Sequence, residues 1–202
     1  DIKFYQIKYH HPKIKTISIQ YGNRGIISFE KFYKYSKAKG ELQVDHLIVF
    51  SNKEVAQYKD VIKCENIHIL GSLKNNMFLK KWNVTEDVVF ISQYREDSKN
   101  HPEFFNISGK SVLKDDFYKV EKKLLPVLLD FCSQNNLNLV ICGAGRAKDE
   151  YDFFQRTIGS DKFIFKEFTT EMSSYDNSNN CRFAVSIDST LGLEIFGRKI
   201  PI

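Results

Sequence analysis

Short apolar runs alternate with polar, helix-spaced segments along this chain, and their order carries the first information. "TISIQ" (16–20) is a β-branched run that stops at the glycine-punctuated stretch Tyr21-Gly22-Asn23-Arg24-Gly25. "HLIVF" (46–50) predicts a second strand, with Ser51-Asn52 as a cap and a short helix through Val55 and Tyr58. "IHIL" (67–70) predicts a third, ending at Gly71-Ser72. The polar segment "KNNMFLKKWNVTED" (74–87) then reads as a linker. Beyond it "VVFISQY" (88–94) is a continuous apolar strand, and "EDSKNHPEFFNISGKS" reads as a loop. Helical spacing follows over 115–135, with Phe117, Val120, Leu124, Leu125, Leu128, Leu129 and Phe131 on a broad face and Pro126 as a kink or break.

The second half repeats this grammar. "LNLVICG", ending at Gly143, is a strand, 148–158 a helix, and "FIFKEF" (163–168) a strand. Next come a short polar helix or turn over 173–179, the strand "FAVSI" (183–187) and a helix, with "IPI" (200–202) opening a further strand. Continuous apolar strands separated by helices predict parallel sheets covered on both faces, with ligands gathering at the strands' carboxyl ends. The chain therefore reads as α/β, in two Rossmann-like lobes: residues 1–73, a linker at 74–87, and residues 88–202. The abrupt start and the strand-like ending read as sheets cut short at both ends.

Composition narrows this picture only a little. The 202 residues are 42% hydrophobic and 14% aromatic, enough for a sizeable core and against disorder. The net charge of +5 is mild and spread along the chain, suiting an anionic small ligand or a lipid surface as well as an ordinary soluble protein. Cys64, Cys132, Cys142 and Cys181 lack C-x-x-C spacing, and the apolar settings of Cys132 and Cys142 read as buried thiols of a reducing, cytoplasmic setting. No apolar run approaches the roughly 20 residues of a membrane span. "FEKFYKYSKAKG" (29–40) interleaves lysines with aromatics, which reads as an amphipathic helix with a solvated face. The same stretch suits peripheral contact with an anionic membrane. No nucleic-acid-binding module is recognisable.

Candidate chemistry sits at the strand ends. Ser189 and Thr190 follow a strand and open a helix, so two hydroxyls and the helix's first amides are placed to hold a phosphate. A capping box needs Glu or Gln three residues after the cap, which from Ser189 is Gly192 and from Thr190 is Leu193. Glu194 misses both registers, so its carboxylate is available for a ribose, and Gly192 allows close backbone approach. "CGAGRAKDE" (142–150) has Gly143 and Gly145 but Lys148 at the third glycine position, so it reads as a tight turn with Arg146 as a base or phosphate contact. The five histidines show no metal spacing and no paired carboxylates mark a glycosidase, so neither a metal nor a resident cofactor is expected. His101-Pro102 reads as a surface turn.

These residues carry a resemblance. "AVSIDSTLGLEIFGRKIPI" resembles the D-S-T-L-G-x-E…K motif of bacterial surface carbohydrate biosynthesis proteins, whose two-lobed architecture is that of GT-B glycosyltransferases. "ISIQYGNRG" and "VDHLIVFSNKEVAQY…ENIHILGSLKNN" are similar to that family's first-lobe segments. The resemblance implies a metal-independent glycosyltransferase of surface polysaccharide assembly, with a nucleotide-sugar as donor substrate and a glycan or lipid-linked acceptor. It implies that Ser189 and Thr190 meet the donor phosphate and Glu194 the ribose. Arg95 is placed after the second lobe's first strand to neutralise leaving-group charge. Gln20, Tyr21 and Asp45 are the catalytic candidates on the acceptor-side lobe. A sugar-nucleotide epimerase of the same architecture, and a nucleotide-sugar-binding protein without chemistry, remain as alternatives. The expected location is the cytoplasm, at the inner face of the cell membrane.

Overall fold

The structure is a computed structural model that describes residues 2–22, 26–39, 42–94, 105–107, 110–112, 118–159 and 161–202. Arg95 and His101-Pro102 lie outside the described residues. The chain divides into two compact units, Asp1–Leu79 and Lys80–Ile202, and the division falls within the segment read as a linker. Part of that segment is helical (α4, Leu73–Met77), with Ser72 capping it by accepting from the Asn75 amide.

In the first unit, β1 (Ile17–Ile19), β2 (Gln43–Val49) and β3 (Lys63–Ile69) form a parallel sheet in the order β1-β2-β3. Its core gathers Leu47 and Val49 of β2 with Phe29, Phe32, Tyr58 and Ile62. A short helix α1 (Ile7–His10) precedes β1, Phe29 and Phe32 come from α2 (Ile26–Lys39), and Tyr58 from α3 (Asn52–Lys59). Ser51 caps α3 as expected, accepting from the Lys53 amide.

The second unit holds four parallel strands. These are β4 (Asp87–Ile91), β7 (Asn138–Cys142), β8 (Ile164–Lys166) and β9 (Phe183–Val185), in the order β8-β7-β4-β9. Alternation along β4 explains the continuous apolar run. Val88 and Phe90 pack with Leu125 and Leu128 of α5 (Lys119–Gln134) and with Phe153 and Phe154 of α6 (Glu150–Ile158). Val89 and Ile91 point the other way, into a core with Ala184, Cys181 and Ile195 of α8 (Thr190–Gly197). On that second side, Cys142 also donates weakly to the Ser174 carbonyl of α7 (Ser173–Asn179). Both faces of β4 are therefore buried, as a doubly wound α/β sheet requires. Each fully buried Val or Phe contributes about 1.5–3 kcal/mol.

Two local expectations are corrected. The stretch read as a loop includes β5 (Phe105–Ile107) paired antiparallel with β6 (Lys110–Val112). "IPI" does not form a strand. Ile200 is buried and the Pro201 carbonyl accepts from the Ala184 amide, a single bond beside β9. Pro126 lies inside the continuous helix α5, between the buried Leu125 and Leu128. No helix among the described residues is long and apolar enough to cross a membrane.

Candidate functional site at the carboxyl ends of the second sheet

Because the second sheet is parallel throughout, its strand ends share one edge. The chain runs from β4 outward to β7 and β8, then returns to the opposite side of β4 for β9. In doubly wound sheets such a reversal is where a ligand crevice forms, and here it lies between the ends of β4 and β9. The loops flanking it are Ser92-Gln93-Tyr94 after β4 and 186–189 after β9. The Gln93 side-chain amide donates to the Asp188 carbonyl and ties the two loops together.

Ser189 and Thr190 stand at this crevice. Ser189 is the N-cap of α8 in extended conformation (φ −96°, ψ 135°), yet its hydroxyl makes no capping hydrogen bond. Ser186 organises the turn instead, its hydroxyl accepting from the Ser189 amide at 3.3 Å. Gly192 is explained by the same serine. A Cβ at Gly192 would stand 2.6 Å from Ser186 Cβ, so this glycine lets the first turn of α8 lie against the strand end. The close approach expected at Gly192 is thus one of protein on protein.

Glu194 also has a protein partner, since the Tyr175 hydroxyl donates to its Oε2 at 2.6 Å. Tyr175 is buried on α7, so the carboxylate is anchored to the neighbouring helix. Arg198, one turn beyond Glu194, bonds Asn179 Oδ1 at 3.1 Å and the Lys80 carbonyl.

The turn at 143–145 is held from within. The Gly143 amide donates to the Lys166 carbonyl at 2.9 Å. Those of Ala144 and Gly145 donate to Glu150 at 2.8 and 3.0 Å. Glu150 is only 3% exposed and also accepts from the Ser92 hydroxyl, joining the loops after β4 and β7. Ser92 Oγ in turn accepts from the Tyr94 amide, and the Tyr94 hydroxyl donates to Asp149. That hydrogen bond and burial push the Tyr94 phenol far above its usual range, burial being the larger cause. Sequence reasoning missed Glu150. Its signal was an acidic residue in a first helical turn just after a glycine turn with amides to satisfy. Gly145 has φ +64° and carries the Phe168 ring against its backbone, where a Cβ would meet Phe168 at 2.6 Å. Beside this turn a cavity of about 380 Å³ opens, lined in part by Arg146, Lys148, Tyr151, Glu167 and Phe168.

In the first unit, two of the catalytic candidates are engaged locally. Gln20 is 4% exposed, and its side chain accepts from the Phe50 amide while donating to the Gly22 carbonyl. Asp45 is fully buried and accepts from Lys8 at 2.6 Å, Lys15 at 3.1 Å and the Thr16 amide at 2.7 Å. The Lys8 bond, aided by Thr16 and Lys15, outweighs desolvation and holds this carboxyl well below the usual carboxylate range. It also lies toward the amino end of β2, away from the strand-end edge. Tyr21 is exposed beyond β1, and Lys74 donates to its hydroxyl at 2.6 Å. The register brings His46 and His68 together with ring nitrogens 3.2 Å apart, a pair with no sequence spacing to announce it. No group of three or more potential metal ligands occurs among the described residues.

A family model described as "putative O-antigen biosynthesis protein" matches residues 17–200, which takes in both sheets and the 186–190 turn. The chain belongs to that family. Membership supports the surface-carbohydrate side of the sequence resemblance. No curated protein matches the sequence.

Proposed function

We propose that this family member is a GT-B-type glycosyltransferase of O-antigen assembly, whose second unit binds the nucleotide-sugar donor at the β4–β9 crevice. The carrying observation is the strand order β8-β7-β4-β9, which puts the sheet's reversal between β4 and β9, beside the start of α8. A Ser189 hydroxyl not used for capping supports the phosphate role, since helix N-termini favour anions. In this reading Ser189 and Thr190 hold the diphosphate and Glu194, oriented by Tyr175, meets the ribose. The acceptor is a glycan or lipid-linked sugar, taken at the cytoplasmic face of the membrane. The lysine- and tyrosine-rich α2 supplies the contact with anionic lipid.

The test is calorimetric titration of UDP, GDP, CDP and ADP into the whole chain and into a Ser189→Ala/Thr190→Val variant. Hydrogen bonds to a charged group contribute about 1.5–3 kcal/mol each. The double variant should therefore lose at least about tenfold in affinity while keeping its melting temperature. Unchanged affinity removes the phosphate site. A second reading, donor binding without transfer, is favoured by the local engagement of Gln20 and Asp45. Release of free nucleoside diphosphate from the cognate nucleotide-sugar on adding acceptor separates the two.

A further inference from the structure

The cavity beside the 143–145 turn combines aromatic walls with both signs of charge, and neither the family description nor the phosphate assignment accounts for it. Tyr151 and Phe168 are 41% and 40% exposed. Phe168 is fixed by its seat on Gly145, and Tyr151 packs edge-on against Phe165 at 5.6 Å between ring centres. Flat faces held this way suit a planar aromatic ligand. Neighbouring strands lie about 4.8 Å apart, so the cavity between the ends of β7 and β8 is roughly 10 Å from the β4–β9 crevice. A nucleoside bridges that separation when its phosphates sit at Ser189-Thr190.

The charges then choose among bases. Glu167 follows β8 and brings an acceptor-only carboxylate to the cavity, while Arg146 and Lys148 bring donors. Guanine matches both. Its N1–H and 2-amino group form two adjacent donors for one carboxylate, and its O6 and N7 form two adjacent acceptors for Arg or Lys. Uracil turns carbonyl oxygens toward a carboxylate on either side of its one N–H. Adenine and cytosine each place a ring-nitrogen acceptor beside their amino group.

We infer that this cavity binds the donor's base and that the base is guanine, so that the donor is a GDP-sugar; this rests on the nucleotide-sugar reading above. Glu167 reads the N1–H and 2-amino edge, Arg146 or Lys148 reads O6 and N7, and the base lies against Tyr151 and Phe168.

Calorimetry on the whole chain with GDP, IDP, UDP, CDP and ADP tests this, because IDP is GDP without the 2-amino group. The wild type should bind GDP at least tenfold more tightly than UDP, CDP or ADP, and more tightly than IDP. Glu167→Gln should keep its melting temperature, since the side chain is exposed, and should bring GDP and IDP to similar affinity. If another diphosphate binds as tightly as GDP, or the GDP-to-IDP ratio survives Glu167→Gln, the guanine assignment is overturned while the donor site stands. Should no diphosphate bind at all, the proposed function falls with it. The GDP-to-IDP ratio of the wild type decides the matter even if the variant fails to fold.

Discussion

In the second unit the central strands are covered on both sides, Val88 and Phe90 by one pair of helices and Val89 and Ile91 by the other packing layer. In the first unit β1 leaves Ile17 and Ile19 60% and 50% exposed. The strand orders differ as well. The first sheet runs β1-β2-β3 without reversal, whereas the second doubles back across β4. A sheet that adds strands in one direction has no switch point among its strand ends, and Gln20, beyond β1, is held by the Phe50 amide. A sheet that reverses has such a point, and beside it the Ser189 hydroxyl lies outside the capping pattern while Gln93 ties the two flanking loops. The same strand grammar thus produces a scaffold in one unit and a candidate ligand edge in the other.

The largest effect that would sharpen this contrast is expected from Asp45→Ala. It leaves Lys8, itself only 14% exposed at its side chain, without its carboxylate, and the Thr16 amide without its acceptor. Hydrogen-exchange protection should collapse over β1–β3 and persist over β4–β9; equal loss in both units would overturn the assignment of Asp45 as an anchor of the first. The pH dependence follows from the lowered carboxyl. A folded-state value below the unfolded one gives stability present above about pH 3.9 and lost as pH falls toward the folded value. Acid should therefore open the first unit below about pH 4, and Asp45→Asn should flatten that dependence.

Next in size is Gly192→Val, which breaks the second unit's edge. The added Cβ meets Ser186, so α8 must move off the strand end at a cost of about 1–3 kcal/mol, with nucleotide binding lost. Gly197→Ala in the same helix meets nothing within 4 Å and should stay within about 1 kcal/mol of the wild type. Chemical denaturation of both variants checks the pair. Equal losses would mean that helix propensity, not the Ser186 contact, governs α8.

Much of the architecture was legible because one physical rule writes it. Apolar runs such as 88–91 and 139–142 are continuous where both sheet faces are buried, so strand positions and the parallel α/β class could be read directly. Strand order could not, because the reversal at β4 depends on which strand edges pair, and periodicity is silent about edges. The site was half legible for the same reason. Ser189 and Thr190 follow from a local strand-to-helix signal, but Glu150 reaches Ser92 across 58 positions and only the folded sheet joins them. Tyr175 as the partner of Glu194 was likewise hidden, since one lies on α7 and the other on α8. Residues 105–112 looked like a loop because two three-residue strands are too short for alternation to register.

The smallest expected effect falls on Glu194, where two accounts of one carboxylate compete. Its place outside both capping registers assigned it to a ribose, and the structure adds a protein partner in Tyr175 at 2.6 Å. A carboxylate offers about four acceptor sites, so it can serve a protein hydroxyl and a ribose hydroxyl together. Tyr175→Phe removes the anchor and should cost about 0.5–1.5 kcal/mol of stability. Glu194→Gln keeps an oxygen for Tyr175, so its stability should fall by less than that of Tyr175→Phe. It removes the charge that strengthens a ribose hydroxyl bond, however, and charged bonds are roughly twice as strong as neutral ones. Affinity for a ribonucleoside diphosphate should therefore drop several-fold in Glu194→Gln, while 2′- and 3′-deoxy analogues, already weak on the wild type, should lose little more. If both variants lower the melting temperature alike and leave ribonucleotide affinity intact, Glu194 serves only to bind α7 to α8. The second unit's edge then recognises its ligand through Ser189 and Thr190 without a carboxylate on the sugar.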